Sequence, residues 1–337
     1  MGTQGLFWKE IREEKHETLK SSFFDLSRQI QWHLFEKILD QLLQRAEKDP
    51  KKGGRPPFET LIMFKILVLQ HFYQLSDDAM EFQLYDRLSF RQFVGLGDAD
   101  RIPDAKTIWL FRDQLSKKNA MKKVFKAFGE HLETLGLQAQ GGQIVDASVQ
   151  EVRKPRSKRE KAYETPAAKA QHDRDATFTR KHNKTYFGYK NHINMDKRHK
   201  FVREYEASPA SPHDSQYFEA VFDDKNTGSE MYVDSAYRGG TCDEIVEAKI
   251  WCDKRQYRAY RNKPLTGHQK RANKARSRVR AHVEHAFADL KNWGRRFQIR
   301  SIGLTRAAFA IGLGNLIYNM RRLMFLSKNG DLRHKYA

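Results

Sequence analysis

The sequence predicts a mixed α/β domain preceded by an all-helical one. Three observations carry that prediction: several short helical periodicities in succession before residue 138, short apolar strand patterns alternating with helices after Gly141, and two strongly helical stretches near the end of the chain. The expected divisions are a helical segment over 1–50, a second helical domain over 51–138, and an α/β domain over 139–330 with a basic insert at 153–184.

Residues 15–47 place Trp32, Phe35, Ile38, Leu39, Leu42 and Leu43 at helical spacing. Lys48–Pro57 is charged, then rich in Gly and Pro, and reads as a linker. Leu61–Phe72 is apolar nearly all round, which predicts a buried helix. Ser76–Tyr85 follows with Ser76 as its cap, then a short helix over Leu88–Leu96. Pro103 and Asp104 open another through Leu115, and Val124–Leu135 gives one more. A succession of this kind suits a small helical domain, of which the helix-turn-helix is one form.

The pattern changes at Gly141. Ile144–Val149 reads as a strand, and Arg153–Lys184 follows as a polar, basic stretch with no strong period. Phe187, Tyr189, Ile193 and Met195 alternate with polar residues as a half-buried strand requires, and Phe201–Ala207 can pair with them across the Asp196–Lys200 turn. Asp214–Phe222 and Thr241–Lys249 read as helices, Met231–Val233 as a strand ended by Asp234, and Ile250–Tyr260 as a further strand. Ala275–Leu290 and Leu304–Phe325 are strongly helical.

Composition narrows the function classes. Over 337 residues, 39% hydrophobic and 12% aromatic content is enough to fill a core and argues against wholesale disorder. Two cysteines, Cys242 and Cys252, make neither a disulfide scaffold nor a zinc tetrahedron, and read as free thiols in a reducing compartment. No signal peptide is visible. The longest apolar run, Leu61–Leu69, is broken by Lys65 and falls far short of the roughly 18 residues a membrane span needs. A soluble, cytoplasmic protein is expected. No G-x-G-x-x-G or Walker pattern occurs, which disfavours a nucleotide-driven motor.

The net charge of +20 is concentrated. Residues 151–200 hold 15 Lys and Arg against 6 Asp and Glu, residues 249–300 hold 16 against 3, and the other 235 residues are nearly neutral. Concentrated blocks mark a polyanion-binding surface more often than a solubilising one. Neither block reads as a clean amphipathic helix with an apolar, Trp-bearing face, which weighs against an anionic membrane.

Three acids stand out by position. Asp146 interrupts the apolar strand Ile144–Ala147, Asp234 ends the strand Met231–Val233, and Glu284 lies inside an Arg- and Lys-rich helix. Taken singly, each Asp can equally be a salt bridge or a turn cap. Together, two strand-borne Asp and one helix-borne Glu can converge on divalent cations, because Mg²⁺ prefers oxygen ligands and takes substrate phosphate into its shell. The basic blocks would hold the polyanion that brings the phosphate. On the helix, Val279, Val283, Ala286, Phe287 and Leu290 form an apolar side, while Arg280, Glu284 and Lys291 share another face. Arg280 can orient Glu284 or a phosphate, or simply pair with Glu284 in an ordinary helix. His282 and His285 flank Glu284 without the H-E-x-x-H spacing, and His192, His199 and His213 have no cysteine partners, so zinc is disfavoured.

At these residues the sequence resembles a bacterial insertion-sequence transposase of the DDE class, close to the insertion-sequence-five group. Arg55–Phe58, Leu67–Gln70 with Tyr73–Asp77, Ser89–Phe93 and Pro103–Thr107 resemble the family's helical N-terminal domain. Ile144–Ser148 resembles its first catalytic strand, Tyr232–Gly239 the second, and Arg280–His285 through Lys291 its catalytic helix, with Phe187–His192 and Pro212–Ser215 as further landmarks.

The resemblance implies a ribonuclease-H-like mixed sheet with flanking helices. It implies a catalytic triad of Asp146, Asp234 and Glu284 holding Mg²⁺, with Mn²⁺ able to substitute, and supporting roles for Arg280 and Lys291. A tyrosine that precedes the arginine by three positions in related families is Ser277 here. The activity implied is ATP-independent transposition: cleavage at terminal inverted repeats, then joining of the 3′-hydroxyl to target DNA. Partners would be double-stranded DNA and further copies of the chain, as a homodimer or larger assembly. Candidate DNA contacts in the two basic tracts, Arg153–Lys200 and Arg255–Arg278, include Arg153, Lys154, Arg156, Lys184 and Lys190, with Arg238 outside them. A metal-dependent nuclease that cuts without joining, a non-catalytic DNA-binding protein and a structural RNA-binding protein are the alternatives.

Overall fold

The computed structural model describes residues 22–44, 55–155, 166, 171–181, 183–249, 252–292 and 298–328. The chain forms two compact units, one of residues up to Gln114 together with those from Leu323 onward, the other of Leu115–Arg322.

The first unit is helical: α1 (Ser22–Gln29), α2 (His33–Leu43), α3 (Thr60–Tyr73), α4 (Asp77–Asp86), α5 (Leu88–Val94) and most of α6 (Ala105–Lys117). The single helical stretch expected over 15–47 is two helices where it is described. The break falls at Ile30–Trp32, where Trp32 turns edge-on to Phe35 and Phe93. In α3, Met63, Phe64, Ile66, Leu67, Val68 and Leu69 are all buried, as an all-round apolar helix requires. Ser76 caps α4, its Oγ accepting from the Ala79 N–H at 3.1 Å. Arg112 of α6 donates from both terminal nitrogens to Asp77, each at 2.7 Å.

The second unit starts earlier than the sequence suggests. Helix α7 (Ala120–Thr134) belongs to it, because its apolar face includes Phe125, whose ring lies 4.8 Å from Tyr205, and its Lys122 pairs with Glu206 at 2.8 Å. Among the described residues six strands form one sheet: β1 (Gln143–Glu151), β2 (Thr177–Lys181), β3 (Lys184–Asp196), β4 (Val202–Pro209), β5 (Glu230–Tyr232) and β6 (Cys252–Asp253). The long β3 pairs antiparallel with β1 on one edge, and with β2 and then β4 along the other. On its far edge β1 pairs in parallel with β5, and β5 in parallel with β6. Four strands joined by antiparallel pairing and continued by two parallel ones give the mixed sheet of a ribonuclease-H-like fold.

Three elements differ from expectation. Residues 214–222 form two 3₁₀ turns, Asp214–Tyr217 and Glu219–Val221, in place of one α-helix. The strand expected over 250–260 is regular only at Cys252–Asp253, backbone bonds from Lys254 to the Met231 carbonyl (3.0 Å) and from Gln256 to the Val233 carbonyl (3.1 Å) extend its contact with β5, and Ile250 and Trp251 lie outside the described residues. Strand β2 arises inside the basic insert, where no period is readable because its side chains are largely exposed, Phe178 included.

The sheet has two distinct faces. Val145, Phe218, Val221, Met231, Val233, Tyr237, Cys242 and Val246 form a core between one face, the 3₁₀ turns and α8 (Thr241–Lys249). The other face takes α9 (Gly267–Asn292) and α10 (Leu304–Lys328). Of the apolar side predicted for α9, Val283, Ala286, Phe287 and Leu290 are buried. Polar bonds fix α10 to the sheet: Asn315 and Asn191 exchange amide hydrogen bonds of 2.9 and 3.1 Å, and Asn319 bonds both the N–H and the carbonyl of Val202, at 2.9 and 2.7 Å. Cys242 and Cys252 are free thiols. Among the described residues no helix is long and apolar enough to cross a membrane.

The paired amides predict a stability signature. Asn315→Ala leaves the buried Asn191 amide without its partner and should lower the unfolding free energy in urea by about 1–3 kcal/mol. The double variant Asn191→Ala with Asn315→Ala should cost less than the sum of the two single changes.

Candidate active site

Parallel pairing sets the level of two carboxylates. Ile144 of β1 pairs with Tyr232 of β5, and Asp146 and Asp234 each stand two residues further along. A period of two places both on the same side of the pleat, opposite the buried Val145 and Val233. Asp234 keeps an extended backbone (φ −76°, ψ 175°), and its carboxylate accepts from the Ala236 N–H, capping the short turn Ser235–Tyr237.

Asp146 is the more enclosed of the pair. Its Oδ1 accepts from the Ala147 N–H at 2.8 Å and its Oδ2 from the Arg280 guanidinium at 3.0 Å. The two side chains are 16% and 11% exposed, Asp146 and Arg280 in that order. Burial pushes the Asp146 carboxyl above its ordinary pKa. Arg280 and the Ala147 N–H pull it back, and the neighbouring Asp234 charge adds to the rise.

Arg280 therefore sits on Asp146, neither paired with Glu284 nor free for a phosphate. Its other terminal nitrogen donates to Gln256 Oε1 at 3.0 Å, and Gln256 in turn donates to Ser277 Oγ at 2.7 Å. Gln256 is a site residue that sequence reasoning missed, since a single amide in a basic loop carries no signal. Tyr237 was missed too, although it lies three residues past Asp234. It is buried beneath the acids, its hydroxyl has no hydrogen-bond partner among the described residues, and burial with the charges of Asp146, Asp214 and Asp234 drives its pKa well up.

Glu284 follows Arg280 by one helical turn and is exposed. Asp146 and Asp234 come together, whereas Glu284 does not join them. Among the described residues no three His, Cys, Asp or Glu groups are close enough to hold a metal ion. The donor chemistry of the three acids nevertheless suits a hard divalent cation, being carboxylate oxygen alone with no thiolate or imidazole in it. His192 is stacked on Tyr217 at 4.6 Å and bonded to Ser208, His199 meets the Gln138 carbonyl, and His213 meets Ser215.

The expected DNA-contacting side chains divide in two. Arg153, Lys154 and Lys184 are exposed. Lys190 is buried and committed to the Pro212 carbonyl and Asp214, each at 2.7 Å. Arg238 donates to the carbonyls of Arg255 and Gln256, both at 2.7 Å, and so clasps a loop. Lys291 is half-buried near Lys181 and Glu151, and burial lowers its pKa. Arg156 lies outside the described residues.

Comparison with known families bears on these residues. Residues 138–320 match the family described as Transposase DDE domain, a span that contains Asp146, Asp234 and Glu284. Residues 11–114 match the family described as Transposase domain. No solved structure matches the chain.

The electrostatics of Asp146 give a pH test. A carboxyl whose pKa is raised on folding holds its proton more tightly in the folded state, so its ionisation costs stability as pH rises above the unfolded value of 3.8. In the presence of chelator, the melting temperature of Asp146→Asn relative to that of the unaltered protein should rise as pH is raised from that value to neutral, whatever constant offset the loss of the Arg280 pairing adds. Thermal melts across the acid range measure it.

Proposed function

The chain belongs to the insertion-sequence DDE transposases, and from that premise we propose that it cleaves the ends of its element and joins the freed 3′-hydroxyl to target DNA through Asp146, Asp234 and Glu284. Enzymes of this family bind element ends and target DNA and use divalent metal ions. The observation that carries the residue assignment is the placement of Asp146 beside Asp234, with α9 bringing Arg280 onto the first and presenting Glu284 one turn further on.

Mg²⁺, with Mn²⁺ as a substitute, is the ion that Asp146, Asp234 and Glu284 would hold, and it supplies Lewis-acid activation and charge neutralisation at phosphate. Asp146 is held in orientation by two hydrogen bonds and Asp234 by the turn it caps. Glu284, exposed on α9, meets the DNA from the solvent side. Exposed cations, Arg153, Lys154 and Lys184 among them, hold the phosphodiester backbone, and Lys291 supports α9 near the same surface. Lys190 and Arg238 shape the surrounding loops. Joining breaks one P–O bond in target DNA as the 3′-oxygen forms another, the hydroxyl proton leaving to solvent. That exchange needs no ATP. The protein would act as a homodimer or larger assembly on DNA.

The test is incubation with a labelled element-end duplex and target plasmid, with Mg²⁺ or with chelator. Cleaved and joined products are expected with the ion alone. Asp146→Ala, Asp234→Ala and Glu284→Ala should each reduce cleavage to background while retention on the duplex in gel shift stays near that of the unaltered protein. Full cleavage by Asp234→Ala overturns the triad, and cleavage without joined products leaves a nuclease.

A further inference from the structure

From Lys254 to Val283, thirty residues contain no acid and eleven Lys or Arg. The structure sorts these cations by direction. Arg255 is buried against Asp253 and Asp243, Arg276 donates to the Arg255 carbonyl, and Arg280 is on Asp146. The outward set includes Arg258, Arg261 and Lys263 ahead of α9, and Lys270, Lys274 and Arg278 upon it, all exposed. The last three recur every fourth residue and so form one stripe along the helix.

The segment ahead of α9 is a closed turn. Tyr260 and Lys263 exchange backbone hydrogen bonds of 3.2 and 3.1 Å around Arg261 and Asn262. Tyr260 is 63% exposed, with the Arg258 guanidinium 6.0 Å from its ring centre. The foot of the turn is fixed to α9: the Tyr257 N–H donates to Asn273 Oδ1 at 2.9 Å, Asn273 donates back to the Tyr257 carbonyl at 3.0 Å, and Arg276 lies over the Tyr257 ring at 4.5 Å. Its neighbour Gln256 holds Ser277 and Arg280, and Arg280 holds Asp146. An unbroken run of contacts therefore joins the foot of the turn to the acidic pair.

One exposed tyrosine alone is ordinary on a protein surface. This one stands on a closed turn, with Arg258, Arg261 and Lys263 as the charged residues beside it in a stretch without acids, and in a segment anchored to the helix that carries Glu284. Cationic surroundings with a projecting aromatic ring are what unpaired nucleic acid binds, phosphates on the charges and a base on the ring. We propose that the turn Tyr260–Lys263 and the α9 stripe grip one DNA backbone, and that Tyr260 stacks on a base left unpaired beside the cut. This rests on the transposase reading, because that reaction is what supplies DNA opened next to the acids.

Two fluorescein-labelled probes test it in chelator over a KCl series: a blunt duplex, and the same duplex with a short single-stranded 3′ extension. Joint replacement of Arg258, Arg261 and Lys263 by Ala should flatten the plot of log affinity against log salt by about 0.9 for each phosphate no longer neutralised, on both probes. Tyr260→Ala should keep the slope and the blunt-duplex affinity, and weaken the extended probe by about 5- to 100-fold. Tyr260→Phe should restore it. In the unaltered protein, 2-aminopurine placed in the extension should be quenched on binding. An unchanged slope in the triple variant, a Tyr260→Ala effect equal on both probes or absent, or no quenching overturns the proposal and leaves the transposase reading standing. Failure of the unaltered protein to bind either probe overturns both.

Discussion

Asp146, held beside Asp234 and largely out of water, opposes its own ionisation, and the site is organised around that constraint. The core dictates their position. Val145 and Val233 are buried in the cluster under the 3₁₀ turns and α8, and a strand alternates its faces. Burying those valines presents Asp146 and Asp234 to the opposite face, where α9 packs. The acids are consequences of the same register that fills the core, and one cannot be shifted without the other. Arg280 offsets part of the cost. A buried ion pair of this kind adds little net stability compared with an apolar pair, but removing one partner leaves a charge uncompensated.

Helix α9 links the chemistry to the fold through two stripes. Val279, Val283, Ala286 and Leu290 repeat at spacings of four, three and four, and the last three are buried. Asn273, Ser277, Arg280 and Glu284 repeat at the same spacings on an adjacent stripe. The first three of these hold the Gln256–Tyr257 loop or Asp146, and the fourth faces solvent. The apolar stripe sets the height of the helix on the sheet, and that height determines which rung of the polar stripe meets Asp146.

Much of this is legible in the sequence where a residue violates its local pattern. Asp146 and Asp234 are visible because each interrupts or ends an apolar run, and the apolar side of α9 because its period is clean. Contacts distant in sequence are invisible. Arg280 reads as a partner for Glu284 four residues away, yet its acceptor lies 134 residues away. Lys190 sits in a readable strand, but alternation alone cannot say that Asp214 will lie against it. The helical face of α7 is plain, whereas the unit it packs into depends on Tyr205, a residue of β4. Residues 214–222 have helical spacing, and periodicity does not separate 3₁₀ turns from an α-helix over so short a run.

The division of the three acids follows from the same electrostatics. Three carboxylates in contact with no cation among them would each raise the pKa of the others, and the most enclosed, Asp146, already bears that penalty from Asp234 alone. With Glu284 in water and Arg280 on Asp146, the free protein avoids adding a third charge to the pocket. Arg280 shares one helix with Glu284, so a movement of α9 along the sheet alters both groups at once. For the proposed triad to gather, positive charge would have to compensate Asp146 in place of Arg280, and a phosphate would have to take up the guanidinium. On the proposed reading, DNA carrying a divalent cation would meet both conditions.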